Sequence, residues 1–173
     1  GAESIVSEEV CAELLNFSPL LTNVSVNHPD LANAMYVAWS KPKDVAFSTN
    51  TFYELSRSED GQNFNSIYTS AGINDTTYFD TGISANDKQY FYKIQLFDGS
   101  LVGESSATSH WLTLSPQDNA IALSLESNTP WQDTAFVVFR KNPNATTYDS
   151  ISTTTDNFYL DEGLKNGAMY CYF

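Results

Sequence analysis

A pattern of about 80 residues occurs twice in this chain, and it limits the fold more than any other feature. FYELSR (52–57) resembles AFVVFR (135–140), NFNSI (63–67) resembles TTYDSI (146–151), and YFDTGI (78–83) resembles YLDEGL (159–164). Arg57 and Arg140 lie 83 residues apart, Asp80 and Asp161 lie 81 apart, and Tyr90 and Tyr170 lie 80 apart. The order is kept, with small differences in loop length. A period this long exceeds most solenoid units and fits a repeated small domain of about seven strands.

From Leu21 onward the apolar residues alternate over short runs, the period-two pattern of half-buried strands. MYVAWSKP predicts a strand that ends at a turn near Pro42, FYELSR predicts a second, and the DG at Asp60–Gly61 predicts the turn after it. SIYTS, TTYFDTG and QYFYKIQLF supply three more. The one stretch that also reads as a helix is SEEVCAELL, where Ser7 caps a first turn carrying Glu8 and Glu9.

At 173 residues the chain has room for one large domain or two small ones. Its 42% hydrophobic and 14% aromatic content is enough to form a core. A formal charge of -13, from 21 acidic against 8 basic residues, repels a phosphate backbone and argues against nucleic acid as a partner. The acidity reads as a solvated surface. No run reaches the roughly 18 apolar residues that span a bilayer, and GAESIVSEE lacks the basic and apolar regions of a signal peptide.

The first copy carries WSKP with Trp39, then YELSR, then Tyr90 in YFYKIQL; the second carries LKNGAMY, with Leu164, Gly167 and Tyr170. In these residues the chain resembles the fibronectin type III family, an all-β, immunoglobulin-like fold of seven antiparallel strands in two sheets. The resemblance implies a tyrosine corner, in which the phenol bonds a backbone group near the preceding turn. NTPW, VVFRKNP and GLKNGAMYCY are similar to repeats of gliding-motility-associated exported surface proteins of Bacteroidetes. Two departures stand out. Leu125 takes the place of Trp39, so the second core needs another filler, for which Trp131 is the candidate. The first copy also has one more residue before its corner tyrosine, counted from Ile83 rather than Leu164.

The resemblance further implies that 1–17 is the trailing strand of a preceding repeat, 18–114 one whole domain, and 115–173 a second domain without its last strand. A strand-F cysteine such as Cys171 then resembles half of a disulfide to strand G, and IVSEEVCAE resembles such a partner strand. One reading has residues 4–13, of another copy or less simply of the same chain, supplying strand G and bringing Cys11 to Cys171; two free thiols or partners elsewhere are the other. Trp111 and Trp131 are candidate interface residues, flanking an expected linker at Ser115–Pro116.

Candidate chemistry is sparse. His28 and His110 have no metal-ligand spacing, and no nucleophile-elbow, Walker or dinucleotide glycine pattern is present. Asp80, Asp161 and Glu162 sit at DTG and DEG, where they read as turn-capping carboxylates or, less simply, calcium ligands. Asn16, Asn23, Asn74 and Asn144 stand in N-x-S/T sequons, which read as chance. Tyr36, Tyr53, Tyr78, Tyr92, Phe97 and Trp111 would form a sugar platform only if several faced solvent on one sheet. The expectation is a module without catalytic residues, metal or cofactor, serving as an extracellular stalk, spacer or adhesive surface. Its partners are neighbouring repeats, with protein or glycan ligands as further ones. The alternative is a carbohydrate-binding or enzyme-accessory module.

Overall fold

The computed structural model describes residues 17–26, 33–43, 45–132 and 135–173, and among them it has thirteen strands and no helix. The chain is all-β, with every pairing between strands antiparallel. In order these are β1 (Leu20–Ser25), β2 (Ala34–Ser40), β3 (Phe52–Ser58), β4 (Asn65–Thr69), β5 (Thr77–Thr81), β6 (Phe91–Phe97) and β7 (Leu101–Thr108). Then follow β8 (Trp111–Gln117), β9 (Ala120–Glu126), β10 (Phe136–Lys141), β11 (Asp149–Thr154), β12 (Phe158–Glu162) and β13 (Cys171–Tyr172). The helical and strand readings of SEEVCAELL, and the expectations for Cys11, Asn16 and His28, fall outside the described residues.

The first seven strands form two sheets, β1-β2-β5 and β4-β3-β6-β7, and the remaining six form β8-β9-β12 and β11-β10-β13. The second pair of sheets repeats the first strand for strand as far as β6. In both sets the fifth strand crosses back to pair with the second. Register extends the correspondence to residues: Met35 opposes Asp80 as Ile121 opposes Asp161, which puts Leu125 at the position of Trp39.

Alternation explains the first core. Met35, Val37 and Trp39 of β2 point inward, as do Tyr53 and Leu55 of β3 and Tyr92, Ile94 and Leu96 of β6. They interdigitate with Leu21 and Val24 of β1 in a sandwich-like core, and each fully buried side chain of this size stabilises by roughly 1.5–3 kcal/mol. The ring of Trp39 meets that of Tyr53 edge-on at 5.6 Å.

The second set is less filled. Its buried residues include Ala120, Ala122, Leu123, Val138 and Leu164, and an apolar cavity of about 310 Å³ lies among Leu123, Leu125, Phe136, Val138, Tyr159 and Phe173. Leucine is smaller than the indole it replaces. No described strand of this set takes the place that β7 holds beside β6. Trp131 does not fill the gap: it packs against the first core, a correction to the sequence reading.

The boundary between the sets also differs from expectation. Ser115 and Pro116 belong to β8 and pair with Ala122 and Ile121, so the link is Ser109–His110. Pro116 is tolerated because β8 is an edge strand of its sheet.

Gly103 shows how closely Phe17 and Ser18, just ahead of β1, pack on β7. A Cβ there would lie 2.7 Å from the Cα of Ser18 and 3.0 Å from the carbonyl oxygen of Phe17. Backbone cannot retreat as a side chain does, so Gly103→Ala is expected to destabilise the fold by about 1–3 kcal/mol in urea denaturation. Gly72→Ala, with open space around it, serves as the control.

Candidate functional site

The most polar buried feature occurs twice. On β5, Asp80 is 4% exposed; it reaches across to the opposite sheet, where Arg57 of β3 and Tyr92 of β6 meet it. Arg57 Nη1 donates to Asp80 Oδ1 at 2.8 Å and to Oδ2 at 2.9 Å, and Tyr92 Oη donates to Oδ2 at 2.8 Å. The guanidinium carbon lies 5.5 Å from the ring centre of Tyr90.

The second copy matches it closely. Arg140 of β10 donates through Nη1 to both oxygens of Asp161 at 2.9 Å, and Tyr172 of β13 donates to Oδ2 at 2.7 Å. Asp161 on β12 is also 4% exposed, and Arg140 lies 5.7 Å from the ring centre of Tyr170. Each constellation therefore clamps one sheet to the other. Burying a carboxylate is costly unless it is paired, and here a cation and a phenol both satisfy it.

Electrostatics follow from this packing. Burial first, then the charge and hydrogen bond of Asp80, hold the Tyr92 phenol well above its ordinary range. Burial and the hydrogen bond to Asp161 act the same way on Tyr172. Burial works to lower the basicity of Arg57, but the hydrogen bond and charge of Asp80 outweigh it and the net shift is upward. In Arg140 the hydrogen bond to Asp161 is the largest cause of a like rise. Tyr53, with its hydroxyl buried and unbonded beside Trp39, is pushed up to about 12 by burial.

This geometry corrects the sequence reading of Asp80 and Asp161 as turn caps or calcium ligands. Both lie on strands, and both spend their oxygens on arginine and tyrosine. Turn capping falls instead to Asp60, which accepts from the backbone nitrogens of Asn63 at 2.8 Å and Gln62 at 2.9 Å. The Asn63 bonds, then those from Gln62 and Ser58, hold its carboxyl far below the usual range.

The corner residues sit directly against the clamps. The backbone nitrogen of Ser84 donates to Tyr90 Oη at 3.0 Å, and that of Lys165 donates to Tyr170 Oη at 3.1 Å. Ile83 and Leu164 are buried beside them, and Gly167 takes a left-handed φ of 78° that favours glycine. Trp111 opens β8, half-buried, and lines a cavity of about 440 Å³ together with Met35, Asn86 and Tyr148. His110 lies in the link, its ring 5.9 Å from that of Phe136. Cys171 is half-buried and free among the described residues, and its candidate partner Cys11 lies outside them.

Sequence reasoning found the arginines and aspartates as repeat markers but missed their joint role; it named Tyr92 only as a candidate sugar-platform ring, which the structure buries, and it missed Tyr172. The signal was available: Tyr92 and Tyr172 lie 80 residues apart, the spacing already seen for Tyr90 and Tyr170. No protein-family model and no curated protein matches the chain.

Two outcomes are expected. Arg57→Ala leaves the Asp80 carboxylate buried without its cation, and a loss of about 3–5 kcal/mol is expected in chemical denaturation. A joint Arg57→Met, Asp80→Leu, Tyr92→Phe replacement is expected to recover most of it. The second outcome concerns pH. A phenol whose folded pKa is raised contributes stability that is complete below its unfolded value near 10 and is lost as pH climbs toward the folded one. Thermal stability is thus expected to decline above about pH 10, with Tyr53, Tyr92 and Tyr172 ionising only as the fold opens, as read by phenolate absorbance.

Proposed function

We propose that this chain is a non-catalytic structural or adhesive module, built of tandem immunoglobulin-like units of the fibronectin type III kind, within a larger exported or cell-surface protein. The observation that carries the reading is the repetition itself. The same strand order, the same arginine-aspartate-tyrosine clamp and the same corner tyrosine occur in both sets. A unit repeated with its sheet-to-sheet contacts intact suits a role in spanning distance, for which such clamps resist shear between layers.

The disposition of aromatics supports the same reading. Trp39, Tyr53 and Tyr92 are core residues. In the first set the outward rings pair on different faces, Tyr36 with Phe79 at 5.0 Å on one sheet and Phe52 stacked on Phe97 at 5.2 Å on the other, while in the second set Phe139, Phe173 and Tyr148 form a single cluster. A sugar chain needs successive rings along one path, and these pairs lie on opposite sides of the sandwich.

The second reading, a carbohydrate-binding module, would rest on Tyr36 and Phe79, since Phe79 is 53% exposed. A glycan and matrix-protein array probed with the chain separates the two. Under the spacer reading, the chain and its Tyr36→Ala/Phe79→Ala variant are expected to give the same array profile. Reproducible glycan binding that the variant loses overturns it.

A further inference from the structure

We infer that the joint between the two strand sets is a rigid coupling, so that the chain reorients as one body. This rests on the contacts at the joint and stands whether or not the spacer role holds.

The covalent link is only two residues, Ser109 and His110, and its first residue is fully engaged. Ser109 donates its backbone nitrogen to the carbonyl oxygen of Tyr90 at 2.8 Å and accepts the Tyr90 nitrogen on Oγ at 3.0 Å. Its own carbonyl accepts Gln89 Nε2 at 2.9 Å. The β6–β7 ladder thus runs on into the link, leaving little freedom of rotation there.

A second point of attachment comes from residues well beyond β8. The Thr108 nitrogen donates to the Asn128 carbonyl oxygen at 2.8 Å, and the Asn128 nitrogen donates back to Thr108 Oγ1 at 2.7 Å. Asn128 thereby adds to the end of β7 as a single bridging residue. Gln89 Nε2 reaches the Glu126 carbonyl at 3.4 Å, and three residues past Asn128 the Trp131 indole rests on the first core.

Two attachments separated along the chain remove the bending that one alone would permit. Motion between domains is the ordinary expectation for a small polar interface, and a short link by itself can still pivot. Here a pivot must break the reciprocal Thr108–Asn128 pair and draw Trp131 off its seat. Each such hydrogen bond shifts the balance toward the closed joint by about 2- to 10-fold, before the partly buried indole is counted.

Backbone 15N relaxation on the whole chain tests the coupling directly. Amides of β2, β3 and β6 are expected to report the same rotational correlation time as those of β9, β10 and β12, a time suited to one 19.2 kDa body. In Thr108→Val/Trp131→Ala the two groups are expected to separate into distinct, shorter times, with the amide shifts of β3 and β10 unchanged. Two separate times in the unaltered chain, each near that of half the mass, overturn the inference. A variant that keeps its folded shifts and still tumbles as one overturns the assignment of the coupling to the Thr108 hydroxyl and the Trp131 indole. Should the variant unfold, the comparison within the unaltered chain remains decisive.

Discussion

A carboxylate buried between two sheets is the constraint around which each half of this protein is arranged. Asp80 and Asp161 are nearly solvent-free, and each stands on the sheet opposite its partners. A charge in that position is tolerable only if a cation and a donor are held against it. That requirement fixes where β3, β5 and β6 lie relative to one another, and again β10, β12 and β13. Apolar contacts supply most of the favourable free energy of burial, but they are non-directional. The clamps are directional, and they set which side chain of one sheet faces which of the other.

The corner tyrosines extend the same logic to the loops. Tyr90 presents its ring to Arg57 and its hydroxyl to the Ser84 backbone, so one residue ties the β5–β6 connection to the clamp. Tyr170 does the same for Arg140 and Lys165. Tyr90 then bonds Ser109 through its backbone, which carries the connection on to the joint. Clamp, corner and joint are in this way one continuous set of contacts in the first half.

Strand positions were legible in the sequence because period-two alternation is a local property of the chain. In Phe91–Phe97 the inward Tyr92, Ile94 and Leu96 alternate with half-exposed neighbours as the sequence pattern implies. Readings that depended on punctuation residues fared worse. Ser115–Pro116 reads as a linker because serine-proline usually breaks structure, yet it lies on an edge strand that has no need of the missing donor. Asp80 reads as a turn residue because Thr81 and Gly82 follow it, although its strand continues to Thr81. Trp131 reads from the sequence both as a filler of the second core and as an interface residue, and the chain folds back to seat it on the first core.

The sequence by itself determined the all-β class, the two-fold repetition and the alternation that chooses which side chains face inward. These follow from backbone geometry within a few residues and from comparison of one half with the other. Only the tertiary structure decided that Asp80 and Asp161 are sheet-to-sheet clamps, that the link is Ser109–His110, and that Asn128 and Trp131 reach back across it. Those outcomes depend on which residues meet after the strands have been layered. Partners 20 or more residues apart become neighbours only through the packing of the sheets, and no local pattern in the chain encodes that distance.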